Sequence, residues 1–180
     1  AVALVPLVYS LCGQAQGVAA RAALAAARGQ ATAAHVDPRV AAEAAREHAW
    51  KLLVDWPKHL GRGPDEALFV RVAKAAPGSG AALADELLAQ PLLVAMAASL
   101  GTAAGDALLA GRIAARRDEL VALLTGGATR AGTVAAAPLG PGRGRATVET
   151  ARGELRHEIV LDAGGEPGER IAAYAIVAPT

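Results

Sequence analysis

The strongest constraint on the fold is a change of period along the chain. Residues up to Leu124 fall into helical runs, whereas Leu155, His157, Ile159 and Leu161 alternate with Arg156, Glu158, Val160 and Asp162, as in a half-buried strand. The turn Gly164-Gly165-Glu166-Pro167-Gly168 leads into Ile171 to Val177, which predicts an antiparallel hairpin. A third strand is expected to join it near Ala146 to Glu149. The expected class is α+β, mainly helical over the N-terminal two-thirds, with a small C-terminal antiparallel hairpin or sheet.

The helical part is punctuated by recognisable starts and stops. A first helix is expected from about Gly17 to Arg28, ended by Gly29, with Cys12 in the turn before it. Asp37-Pro38 is a strong helix entry, because the carboxylate caps free amides and proline suits the first helical position. That helix is expected to reach Leu60, with Glu47 and Lys51 at pairing distance, Val40, Ala44, Trp50, Leu52 and Leu53 as its apolar side, and a kink or stop at Pro57. Gly63-Pro64-Asp65-Glu66 begins a helix to about Ala76, and Pro77-Gly78-Ser79-Gly80 separates it from a run to Ala89. Pro91 opens another to Leu100, and Thr102 caps a last one ending at Leu124. Residues 126–145, rich in Gly, Pro, Ala and Thr, read as a linker or flexible loop. The whole, 1–180, reads as a single domain.

Composition narrows the function classes. The chain is 53% hydrophobic but only 3% aromatic, so its interior must be Ala, Leu and Val in closely packed elements. A formal charge of +1, with both signs interspersed, argues against a nucleic-acid binder. The uncharged stretches 1–20 and 87–105 are broken by Pro, Gly, Gln and Ser, which argues against a signal peptide or a membrane span. The single cysteine excludes a disulfide framework and any centre built from several thiolates, and cytoplasmic residence is the simpler expectation.

Four features stand out from the alanine-rich background. The first is Ser10-Leu11-Cys12-Gly13-Gln14-Ala15-Gln16, where amides at a helix start favour a thiolate, the metal-binding form. The alternative is that Cys12 is a small buried apolar residue. The second is the helix with Glu43, Arg46, Glu47, His48 and Trp50, then Asp55-Trp56-Pro57, read as solvated charges with packed tryptophans because Glu47 and His48 are adjacent and cannot share a ligand. The third and fourth are Arg152-Gly153-Glu154-Leu155-Arg156-His157 and Ala178-Pro179-Thr180, at the two ends of the hairpin. There, an arginine fork and a threonine hydroxyl could donate to one anionic group. No P-loop, Rossmann fingerprint, Cys-x-x-Cys or Ser/His/Asp order is present.

Taken in order, these pieces resemble the large subunit of nickel–iron hydrogenases. In that family an Arg-x-Cys-Gly-x-Cys motif precedes a helix, and an Arg-Gly-x-x-x-His motif, a hairpin and a Pro-Ser/Thr pair follow later. Leu11-Cys12-Gly13-Gln14-Ala15, Arg152 to His157 and Pro179-Thr180 stand at these places. Cys12 aligns with a terminal nickel ligand, but Ala15 replaces the bridging cysteine and the closing Cys-x-x-Cys is absent. Arg152, Pro179 and Thr180 fall where the family surrounds the iron's cyanide ligands.

That pattern, with Leu11-Cys12-Gly13-x-x-Gln16 and the Glu43 to Trp50 helix, is similar to the HupK/HoxV-type hydrogenase maturation proteins. The resemblance implies a degenerate large-subunit-like fold and a scaffold, not an enzyme, that transiently holds an Fe(CN)2(CO) unit. Cys12 would be the metal ligand and Arg152, Pro179 and Thr180 the cofactor-binding residues, with no nickel. The implied partners are upstream maturation proteins and the hydrogenase large subunit, with neither nucleic acid nor membrane involved. The alternatives are a degenerate or truncated large subunit and a helical docking protein without cofactor. The chain opens on Ala1 rather than Met and stops at Thr180, as a fragment or shortened member would.

Overall fold

In a computed structural model, the protein is described over residues 4–8, 12–30, 32–90, 104–161 and 171–177. The chain divides into two compact units, Ala1–Glu43 with Arg130–Thr180, and Ala44–Thr129. In chain order the elements are α1 (Val5–Val8), α2 (Gly13–Ala27), β1 (Thr32–Val36), α3 (Pro38–Trp50), a π-helical turn (Lys51–Asp55), α4 (Trp56–His59), α5 (Glu66–Lys74), α6 (Ala81–Leu88), α7 (Ala104–Thr125), β2 (Thr133–Gly140), β3 (Arg143–Thr150), β4 (Gly153–Leu161) and β5 (Ile171–Val177). The class is α+β, as the change of period indicates.

The first unit is α2 laid across a five-stranded antiparallel sheet in the order β1-β2-β3-β4-β5. The expected hairpin exists as β4 and β5, with Arg156 opposite Val177 and Ile159 opposite Tyr174, and β3 joins it as expected. It is only part of the sheet, however. Strands β1 and β2 extend the sheet beyond it, and β2 lies where a loop over 126–145 is expected.

The segment Thr133–Gly140 has poor strand propensity, but its small residues let α2 come close, and tertiary packing overrides the local preference. Pro138 is tolerated because β1 pairs with β2 only as far as Ala136, so the missing N–H faces no partner strand.

Contact between α2 and the sheet is made by backbone and methyl groups. Ala15, Ala19, Ala20, Ala23 and Ala26 are fully buried. A Cβ on Gly144 of β3 would fall 2.2 Å from both the Ala23 carbonyl oxygen and the Ala27 nitrogen, so glycine is required there. Val18, Val40, Val134, Val148 and Leu155 fill the end of this interface near the start of α2, and Ala146 and Ile159 pack with Ala23 and Ala27 further along. Gly132, at φ 87°, places its carbonyl 2.9 Å from the Asp37 amide, at the entry to α3.

Helix α3 starts as the sequence indicates. Asp37 Oδ1 accepts from the Arg39 amide at 2.9 Å and from the Val40 amide at 3.4 Å. The Arg39 guanidinium beside Asp37 holds that carboxyl below its ordinary range.

The second unit is built on leucine. Leu52, Leu53, Leu68, Leu87, Leu120 and Leu124 are fully or almost fully buried. Pro57 does not end the helix, which runs on to His59; the preceding turn widens to π geometry. Proline lacks the N–H that would satisfy the Leu53 carbonyl, and the Asp65 amide does so from the start of α5 at 2.8 Å. Asp65 in turn caps α5 through the Leu68 amide at 2.9 Å. Lys51 pairs with Asp55, one turn further along, at 2.5 Å. No helix among the described residues is long and apolar enough to cross a membrane. The expected Pro91 helix and the Thr102 cap lie outside the described residues.

Candidate functional site

Cys12 is the residue immediately before α2, which begins at Gly13, one turn earlier than the sequence suggests. Its backbone is left-handed, φ 57° and ψ 34°, the sole non-glycine residue with positive φ among those described. That conformation costs an ordinary side chain about 1–2 kcal/mol, so the surroundings must hold it.

The thiol does not cap the helix. Capping comes from Glu43 on α3, whose two carboxylate oxygens accept from the Gln14 and Ala15 amides at 3.0 Å each. The positive end of α2 is thus already met by a carboxylate. Cys12 is half-buried and packs on the Val18, Val40, Val148 and Leu155 cluster, so it has both the helix-start position and the apolar surroundings considered for it. Ala15, where the resembling family carries a bridging cysteine, is fully buried.

One turn into α2, Gln16 is also buried, and its amide donates to the Cys12 carbonyl at 2.9 Å. Its side-chain oxygen lies 2.7 Å from Nε2 of His157 on β4, and Nδ1 of the same ring meets the Tyr174 hydroxyl from β5. An amide oxygen only accepts, so His157 Nε2–H donates to Gln16 and the Tyr174 O–H donates to Nδ1. The Tyr174 and His157 rings also meet edge to face at 5.4 Å. His157 is fully buried, and burial pushes its imidazole down to about 4. Gln16 and His157 belong to the two sequence segments singled out at opposite ends of the chain. Their direct pairing, with Tyr174 on the other ring nitrogen, lacked any signal in the sequence beyond the inward phase of His157.

Arg152 is exposed in the β3–β4 turn, where its amide donates to Thr150 Oγ1 at 3.1 Å. Three residues later, Leu155 enters the cluster on which Cys12 packs, so both residues belong to one end of the first unit. Pro179 and Thr180 lie outside the described residues; Val177 closes β5 opposite Arg156. Among the described residues no group of three or more His, Cys, Asp or Glu side chains could hold a metal ion.

The reading of Glu43 to Trp50 as solvated charges fails at His48 of the second unit, a residue only 4% exposed. Arg116 on α7 donates to His48 Nδ1 at 3.1 Å and lies over the Trp56 ring at 5.5 Å. His48 Nε2 therefore carries the ring proton, and it is buried without a hydrogen-bond partner. Burial first, and the Arg116 charge second, push this imidazole down to about 4. Trp50 is 43% exposed and meets Phe69 edge to face at 5.5 Å.

No family model matches the chain, and no solved structure does. Among curated proteins, the chain is similar to the hydrogenase expression/formation protein HoxV of Cupriavidus necator, with 41% identity over 68 residues. The match covers 37% of this chain and 18% of that protein, so the chain corresponds to under a fifth of the relative's length.

Proposed function

We propose that this chain is a nickel–iron hydrogenase maturation scaffold that transiently holds an Fe(CN)2(CO) unit and passes it to the hydrogenase large subunit. The observation that carries the reading is the Gln16–His157 hydrogen bond. It joins the Cys12 turn to the Arg152–His157 strand, the two segments by which the chain resembles hydrogenase-related proteins. The partial similarity to HoxV supports the same role.

On this reading the chain acts as one large-subunit-like domain in the cytoplasm and catalyses nothing itself. Cys12 supplies the anchoring thiolate, a soft ligand suited to a low-spin iron carrying carbonyl and cyanide. Arg152, with Pro179 and Thr180 from the end of the chain, surrounds the cyanides, and the guanidinium offsets their charge by charge-assisted hydrogen bonds. A single thiolate leaves the unit releasable. Ala15 supports this role over that of a nickel enzyme: the bridging thiolate is replaced by a methyl group inside the packed core. The partners are the upstream maturation proteins that deliver the unit and the large subunit that receives it.

The test is anaerobic purification from cells assembling hydrogenase, followed by infrared spectroscopy and metal analysis. Cyanide and carbonyl bands with iron but no nickel are expected, and they should vanish in Cys12→Ser because an alkoxide is a harder, far more basic ligand. Unchanged bands and normal hydrogenase maturation with Cys12→Ser would remove Cys12 from the mechanism.

A further inference from the structure

We propose that His157 and Tyr174 are positioning residues for the Cys12 turn, acting through Gln16; the inference builds on the reading of Cys12 as the iron-holding thiolate. Three observations carry it. The Cys12 backbone is left-handed without being glycine, so it needs an external hold. Gln16 is bound to that turn directly, by its amide to the Cys12 carbonyl at 2.9 Å. Its side chain is the inner end of a hydrogen-bonded chain through His157 Nε2 and Nδ1 to the Tyr174 hydroxyl.

A polar chain is a costly way to join a helix to a sheet in an interior otherwise made of aliphatic side chains, mostly alanine and valine. Apolar residues of the same volume would supply the packing. They would not supply direction: the Tyr174 O–H selects the Nε2–H tautomer of His157, and that N–H fixes where the Gln16 oxygen sits. Glu43 holds the Gln14 and Ala15 amides of the same turn from α3. The first turn of α2 is therefore clamped at three successive residues, and Tyr174, 37% exposed on β5, is the part of the clamp nearest solvent.

The test measures how fast iodoacetamide alkylates Cys12, the sole thiol of the chain, in the intact protein under native conditions. Tyr174→Phe keeps the ring and removes the donor, and Gln16→Met keeps the length and removes the acceptor. Ile159→Val, in the other apolar cluster of the same unit, serves as a control for general softening.

Alkylation about fivefold faster in Tyr174→Phe and Gln16→Met is expected, the factor one hydrogen bond of ordinary net strength contributes to a local opening equilibrium. Ile159→Val should leave the rate as it is. Rates equal to that of the parent, or an equal acceleration in Ile159→Val, would overturn the proposal. Infrared spectra of the unsubstituted protein separate the two ideas. Absent cyanide bands there would end the scaffold reading, whereas the alkylation rates alone decide the clamp.

Discussion

The two units hold their buried imidazoles differently. In the first, the contact between α2 and the sheet is set by backbone proximity and alanine methyls, and its one buried imidazole, His157, has a partner on each nitrogen. In the second, leucines fill the space, and the buried imidazole of His48 has a partner on one nitrogen only. Both rings are pushed down to about 4, His157 by burial alone and His48 by burial with help from the Arg116 charge. The orphaned donor of His48 costs about 1–3 kcal/mol, which the doubly partnered His157 ring avoids; among the described residues of the first unit the buried donor without a partner is Arg156 Nε instead.

The sharpest way to break this comparison is to add one methyl group to the first unit. Gly144→Ala would bring a Cβ within 2.2 Å of helix backbone that has no side-chain freedom to yield. A loss of about 3 kcal/mol is expected, at the upper end for overpacked interiors. It is measurable as a fall in the denaturant midpoint, with early loss of hydrogen-exchange protection in β3 and α2. A loss under about 1 kcal/mol would mean that α2 can lift off the sheet, and that contact there is looser than the alanine interface implies.

Acid tests the second unit. His48 titrates near 6.5 when unfolded and at about 4 when folded. Between those values the unfolded chain takes up a proton that the folded chain refuses, so stability is full above pH 6.5 and falls as the pH drops towards 4. His48→Leu removes this dependence and the orphaned donor together. At pH 4.5 the variant should have gained about 2 kcal/mol on its parent relative to their difference at pH 7. Urea titrations at the two pH values check it; parallel pH profiles would show that His48 is solvated in the folded chain. His157 contributes in the same direction, and its protonation also forbids acceptance from Tyr174.

Much of this was legible in the sequence where local chemistry decides. Asp37-Pro38, Asp65 and the alternation from Leu155 to Leu161 gave the helix entries and the inward face of β4, because capping and period are short-range signals. Strands β1 and β2 were not legible. Thr133–Gly140 carries the glycine, proline and alanine of a loop and becomes a strand only because α2 and β3 are available to it. The site divides along the same line. Cys12 before a helix and Arg152 in a turn follow from neighbouring residues, but Glu43 capping α2 spans 28 and 29 positions and Gln16 meeting His157 spans 141. Nothing in the helical phase of Glu43 distinguishes a cap for another helix from a solvated charge.

The smallest expected effect is of opposite sign and completes the contrast between the two units. Gly111 lies inside α7 of the leucine-built unit, exposed, and an added Cβ there meets nothing within 4 Å. Its backbone is not among the positive-φ glycines, so alanine adopts the conformation without strain. Gly111→Ala should therefore stabilise the protein by about 0.5–1 kcal/mol, chiefly by restricting the unfolded chain and removing the helix penalty of glycine. The same substitution chemistry that is expected to disrupt β3 at Gly144 thus helps α7, because one glycine faces helix backbone and the other faces water. A small upward shift of the thermal midpoint for Gly111→Ala, read beside the fall for Gly144→Ala, is the expected pair. A destabilised Gly111→Ala would show that this face of α7 is covered in the folded protein, and exposure could no longer separate the two positions.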